Sequence, residues 1–210
     1  MTISGKIVGY DPGGNKRHGV ALLLIDNGKI VEVETKTFIT AEQVISFLND
    51  CGHLVGLGVD TLTCWSTGES GWRPADRWLR EKYREVRNSV VTPNGLYGAM
   101  VLNGMLVLLS ARDRNLDFFI TETHPKVLFC SLTKKRYNYD QKDEMDKCLS
   151  DYLGQSVKTA NEHEWDAAFS AYAAFQSLTR AWTRDLHQLP KKNGESIIYP
   201  CGVTFFFWPE

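Results

Sequence analysis

The stretch that most limits what this chain can fold into is residues 5–14, Gly-Lys-Ile-Val-Gly-Tyr-Asp-Pro-Gly-Gly. An apolar run leads straight into an aspartate, and a Pro-Gly-Gly turn follows at once, so the chain leaves as a strand and returns as one. Residues 18–25 (His-Gly-Val-Ala-Leu-Leu-Leu-Ile) read as the returning strand. Residues 28–39 alternate apolar and polar with a period of two, the pattern of a half-buried third strand, and Asp26-Asn27-Gly28 supplies the turn before it. The first forty residues therefore predict a three-stranded antiparallel meander with Asp11 at the end of its first strand. Taken alone, such an aspartate is more often a turn cap that bonds backbone N–H groups than a metal or phosphate ligand.

Further along, Thr40 with Gln43 three residues later has the form of a capping box, and Val44, Ile45 and Leu48 make the inward stripe of a helix that ends at Cys51-Gly52. Residues 54–60 are a short apolar run closing on Asp60, read as a buried strand. A long Thr/Ser/Gly-rich loop from Thr61 to Gly71 follows, edged by Trp65 and Trp72; connections of that length are often functional. Pro74 opens a charged helix to about Arg87. Residues 93–113 form an apolar helix, and residues 116–122 a strand ending in Glu122. Pro125 starts another helix, 133–147 is a polar surface excursion, and a long helix covers about 161–184. A short strand at Ile197–Tyr199 precedes the apolar end Val203–Trp208, which must pack on the body or on another subunit.

Bulk properties narrow the classes. With 210 residues, 43% hydrophobic and 23% charged, the chain is expected to be one domain over 1–210 with a C-terminal extension at 190–210. Cys51, Cys64, Cys130, Cys148 and Cys201 are odd in number and scattered, so neither a disulfide framework nor a zinc ribbon is indicated and a reducing cytoplasm is expected. No leader-like apolar segment and no bilayer-spanning run is present in these residues. The net charge of −1 weighs against strong nucleic-acid binding, which usually shows as a basic excess. The basic clusters at Arg73 to Arg87 and Lys134-Lys135-Arg136 read first as solvated helix faces.

Four acids stand out: Asp11, Asp60 and Glu122 close strands, and Asp166 lies in the first turns of the last long helix. Anionic oxygens packed together need a cation among them, and two hard cations about 4 Å apart activate water for phosphodiester cleavage. The order of strand-Asp, hairpin, strand, helix, strand-Asp, helices, strand-Glu and helix-Asp is that of an RNase H-like α/β fold: a mixed sheet, three antiparallel strands then parallel ones, flanked by helices. The sequence also resembles the domain-of-unknown-function family 429, a group of predicted RNase H-like nucleases. The likeness lies in residues 7–23, 54–61, 121–129 (with Glu122-x-His124-Pro125) and 164–174 (with Asp166-Ala167). It departs after Asp60, where Thr61-Leu62-Thr63 replaces the family's usual Ala or Ser then Pro. The resemblance implies Asp11, Asp60, Glu122 and Asp166 as catalytic metal ligands for Mg2+ or Mn2+, and nucleic acid as partner.

Around this set, His124 reads first as structural at a helix start, His163 as part of a solvated helix N-terminus, and Glu164 as a helix-dipole acid or a substitute for Asp166. Lys126 and the 134–136 cluster could meet phosphates; Trp65 and Trp72 could stack bases or simply anchor the loop. The leading reading is a metal-dependent nuclease or phosphodiesterase with no membrane association. A catalytically silent binding or scaffold module, with the apolar C-terminus as a homo-oligomer interface, is the second. An actin- or sugar-kinase-like nucleotide site at Gly13-Gly14 is the third.

Overall fold

The structure is a computed structural model, and it describes residues 2–14, 17–68, 71–91, 98–114 and 118–209. Strands β1 (Gly5–Pro12), β2 (His18–Asp26) and β3 (Lys29–Phe38) form the expected meander, followed by α1 (Ala41–Asp50) and β4 (Leu54–Val59). Next come the two-residue β5 (Trp65–Ser66), α2 (Pro74–Lys82), α3 (Gly98–Arg114), β6 (Phe119–Glu122), α4 (Pro125–Thr133) and α5 (Lys142–Leu153). The chain ends with α6 (Glu162–Leu178) and three two-residue strands, β7 (Arg184–Asp185), β8 (Ile197–Ile198) and β9 (Phe207–Trp208).

The central sheet has the order β3-β2-β1-β4-β6. β1–β2 and β2–β3 pair antiparallel, whereas β1–β4 and β4–β6 pair parallel. With helices on both faces, this is the RNase H-like arrangement. Because side chains alternate along a strand, β1 sends Ile7 into one core with Leu23, Leu128, Trp165 and Phe169, under α4, α5 and α6. Val8 and Tyr10 go to the other, with Val44, Leu57, Val59 and Leu108 under α1 and α3.

Several sequence expectations shift. Thr40 caps α1 as expected, accepting from Gln43 N at 3.3 Å. α2 stops at Lys82 rather than Arg87, and a 3-10 turn (Arg84–Ser89) follows. Tyr83 leaves the helix there because its hydroxyl is tied to Ser131 Oγ (2.8 Å) and to Trp208 Nε1 (2.9 Å). Residues 93–97 and 116–117 of the expected helix and strand lie outside the described residues. The expected polar excursion over 133–147 is wrong for its second half, which begins α5; Met145, Leu149 and Leu153, four apart, bury the inner face. The last long helix ends at Leu178 rather than 184, since Arg180 turns left-handed (φ 60°).

The apolar tail packs on its own chain. Phe206 and Trp208 are buried, Phe205 N donates to Ile120 O (2.9 Å), and Glu122 N donates to Phe205 O (2.7 Å). The segment thus lies along the free edge of β6. β5, in the long loop, pairs with β8, and Ser66 Oγ donates to Glu195 Oε1 at 2.6 Å.

Candidate active site

Register and helix packing decide which acids meet. On β1, Asp11 shares the face of Ile7 and Gly9. Gly9 stands opposite Gly58 of β4, and Asp60 follows Gly58 by two, so both aspartates leave the sheet on the same side. Asp60 N donates to Tyr10 O at 2.9 Å, which holds it against the end of β1.

α6 crosses this side at backbone contact. A Cβ on Gly9 would fall 1.8 Å from Ala167 O, one on Gly58 1.9 Å from Ser170 O, and one on Gly19 2.0 Å from His163 O. Only glycine permits that approach, and it brings the first turns of α6 over the ends of β1 and β4. Asn161 caps the helix, accepting from Glu164 N at 3.1 Å. Asp166 then reaches Asp11 and Asp60: one carboxylate oxygen from each of the three lies within 4.8 Å of the others.

Asp11 and Asp166 are 3% exposed, and Asp60 is the most accessible of the three. Burial pushes the Asp60 carboxyl well above its usual range, and the Asp11 and Asp166 charges push it further. Burial and then Asp11 do the same to Asp166, against the opposing pull of Lys126. Asp11 is raised by burial, partly offset by its hydrogen bond with His163, whose Nδ1 lies 2.6 Å from Asp11 Oδ2. The same bond holds the His163 imidazole above its ordinary value. Lys126 is disfavoured by burial, but Asp166, Glu162, Asp60 and Asp11 outweigh that and hold its ammonium firmly charged.

Asp166 Oδ1 and the hydroxyl of Tyr137 are both buried without a hydrogen bond of regular geometry to a described residue, although the two act on each other as a hydrogen-bonding pair. Three crowded carboxylates form a hard, anionic donor set of the kind that suits a divalent cation.

Glu122 is not brought into this group. In the β4–β6 register it stands opposite Val59, one residue out of phase with Gly58 and Asp60, so it belongs to the other side of the strand pair. There Arg73 grips it with Nη1 (2.7 Å) and Nη2 (2.5 Å), while Thr63 N and Oγ1 donate to Oε2 at 2.9 and 3.0 Å. Arg73 also binds Asp76 through Nε (3.0 Å) and Nη2 (2.7 Å). His187 Nε2 lies 3.7 Å from Glu122 Oε2 and 3.5 Å from Cys64 Sγ. Although burial opposes ionisation, Arg73 holds the Glu122 carboxyl far below its normal range. This closed network clamps the loop after Asp60.

The remaining candidates separate cleanly. Glu164 turns away to β3, accepting from Thr35 Oγ1 (3.0 Å), Thr37 Oγ1 (2.6 Å) and Ala160 N (2.8 Å), so it does not stand in for Asp166. His124 lies between the two acidic groups, with Nδ1 4.0 Å from Asp60 and Nε2 3.8 Å from Glu122, and burial lowers its basicity. With Lys126 and Met100 it lines a cleft that opens beside Asp60. His163, read from sequence as a solvated helix end, contacts Asp11 directly. Its spacing three residues before Asp166, one turn on the same helix face, was the available signal. Arg73 and His187 carried none.

No protein-family model matches the sequence, that of domain-of-unknown-function family 429 included, and no curated protein matches it. Among solved structures the chain is similar to RuvC of Thermus thermophilus, with a TM-score of 0.48 and 13% identity over 83% of this chain and 96% of that one. It is similar to T. thermophilus RuvC in complex with a Holliday junction substrate at a TM-score of 0.46, with the same identity and coverage.

Proposed function

We propose that this protein is a divalent-metal-dependent nuclease that hydrolyses phosphodiester bonds in nucleic acid, with Asp11, Asp60 and Asp166 as its metal ligands. The observation that carries the reading is the convergence of three carboxylates, from β1, from the residue that follows β4 and from α6, with one oxygen of each within 4.8 Å of the others. A divalent cation held there lowers the pKa of a water molecule and stabilises charge on the leaving oxygen. The protein's own groups do the rest. His163 orients Asp11 through its Nδ1 contact, and the Gly9–Ala167 contact fixes α6, so Asp166 cannot drift from the strand ends. Lys126, at the mouth of the cleft, meets a phosphate oxygen of the substrate; Glu122 stands outside the ligand set and holds the loop after Asp60.

The test is Asp166→Asn. The amide removes a buried negative charge from the cluster, so the metal-free variant is expected to melt at a higher temperature than the parent, while Mn2+ no longer raises its melting point and Mg2+-dependent cleavage of nucleic acid is lost. Retained cleavage, or Mn2+ stabilisation equal to the parent's, refutes the assignment.

A further inference from the structure

We propose that the outward face of α3 is the seam of a homodimer in which two copies of this helix pack antiparallel. The proposal is independent of the nuclease reading. α3 is apolar on both of its sides. Its inner side carries Val107, Leu108 and Ala111 into the core with Val59 and Ile120. Of residues 98–113, those exposed are Gly98, Ala99, Leu102, Leu106, Leu109 and Asp113. Leu102 is 72% exposed, and Leu106 and Leu109 are 43% and 42% exposed. A surface helix ordinarily turns charged and polar residues outward, whereas one that is apolar all round is a covered helix.

The spacing says what covers it. Ala99, Leu102, Leu106, Leu109 and Asp113 follow one another at intervals of three, four, three and four, the repeat by which one helix seats along another. Charge then selects the partner and its direction. In a parallel pair of identical helices each seam residue meets its own copy, so Asp113 would face a second Asp113. In an antiparallel pair Leu102 meets the partner's Leu106 and Ala99 meets the partner's Leu109, and the twofold axis repeats both contacts. Every apolar seam position is thus matched by another on an identical chain. At the C-terminal end of its own helix the Asp113 charge is unfavourable. The antiparallel arrangement brings it to the N-terminal end of the partner helix, where a negative charge is stabilising and where the first turn of α3 has no acid of its own.

The experiment is sedimentation equilibrium of the full chain, for the parent, Leu102→Glu, Leu106→Lys and the double variant Leu102→Glu/Leu106→Lys. Both side chains are exposed, so the variants should keep the parent's far-ultraviolet circular dichroism. The parent is expected to be a dimer at about 50 µM. Each single variant buries an unpaired charge twice per dimer and should raise the dissociation constant by roughly a hundredfold or more. In the antiparallel register the double variant sets its new acid against the partner's new ammonium in both copies, so dimerisation should recover by roughly tenfold or more over either single variant. In a parallel register like charges would meet and nothing would be recovered. Val31→Glu, on the outermost strand β3, is the control and should leave the dimer intact. A parent that stays monomeric at that concentration, single variants that dimerise like the parent, a double variant no better than the singles, or equal dissociation by Val31→Glu overturns the inference.

Discussion

Gly9→Ala tests whether the fold builds the site in the way described. The added methyl would lie 1.8 Å from Ala167 O and 2.7 Å from Ala171 N, both backbone atoms of α6 that no rotamer change can move. Real Cβ contacts essentially never fall under 3.0 Å, so α6 must withdraw by roughly 1 Å or more. Overpacking of this kind costs about 1–3 kcal/mol, and the rigid partner puts the expected loss near the top of that range. Ala167 adjoins Asp166, so the withdrawing turn carries the ligand with it. A misplacement of about 1 Å in a catalytic constellation costs on the order of a hundredfold, and Mn2+ affinity should fall steeply in the same variant. Urea unfolding and Mn2+ titration of the folded protein read the two effects separately. Gly98→Ala, at a position with nothing within 4 Å, is the control and should be neutral. If Gly9→Ala unfolds like the parent, or is destabilised yet binds Mn2+ unchanged, the claim that helix approach sets the site is refuted.

Two further outcomes follow from the buried ion pairs. Arg73→Met leaves Glu122 and Asp76 facing each other without their shared cation, and breaking such a buried pair costs about 3–5 kcal/mol. The folded fraction should still bind Mn2+ at parental affinity, and loss of binding there would show that network and triad are one unit. Glu195 is pushed up by burial, but hydrogen bonds from Arg77 and Ser66 outweigh this and bring it down from 4.5 to about 2. A depressed carboxyl stabilises the fold above its unfolded pKa, and the contribution is lost as pH falls from 4.5 toward 2. Because Arg77 is partly open to solvent, the pair is worth on the order of 1–2 kcal/mol. The stability gap between parent and Glu195→Gln, measured in urea, should therefore narrow from pH 6 to pH 3; a constant gap refutes it.

Much of the arrangement was legible because strand and turn chemistry is local. The period-two pattern of 28–39, the turn at Asp26-Asn27-Gly28 and the apolar runs ending at Asp11 and Asp60 needed no knowledge of the rest of the chain. Asp166 was legible as an acid early in a small-residue helix. Glu122 misled because its position at a strand end is visible in sequence, whereas its phase relative to β4 depends on a register that only the folded sheet defines. Its partners Arg73 and His187 lie 49 and 65 residues away in the numbering, with no pattern to announce them. α5 was hidden by its polar face, although Met145, Leu149 and Leu153 keep helical spacing. The tail's destination was open because hydrophobicity says that Phe206 and Trp208 will be covered, not by what.

That destination has a consequence for handling the protein. The strip around Phe205 occupies the hydrogen-bonding groups of β6 that would otherwise face outward, beside stacked Phe119 and Phe207. Trimming the last eight residues by a protease would uncover the unpaired backbone of β6 together with the ring of Phe119, the kind of strand margin on which chains join edge to edge into insoluble material. Clipped protein should betray itself first as turbidity.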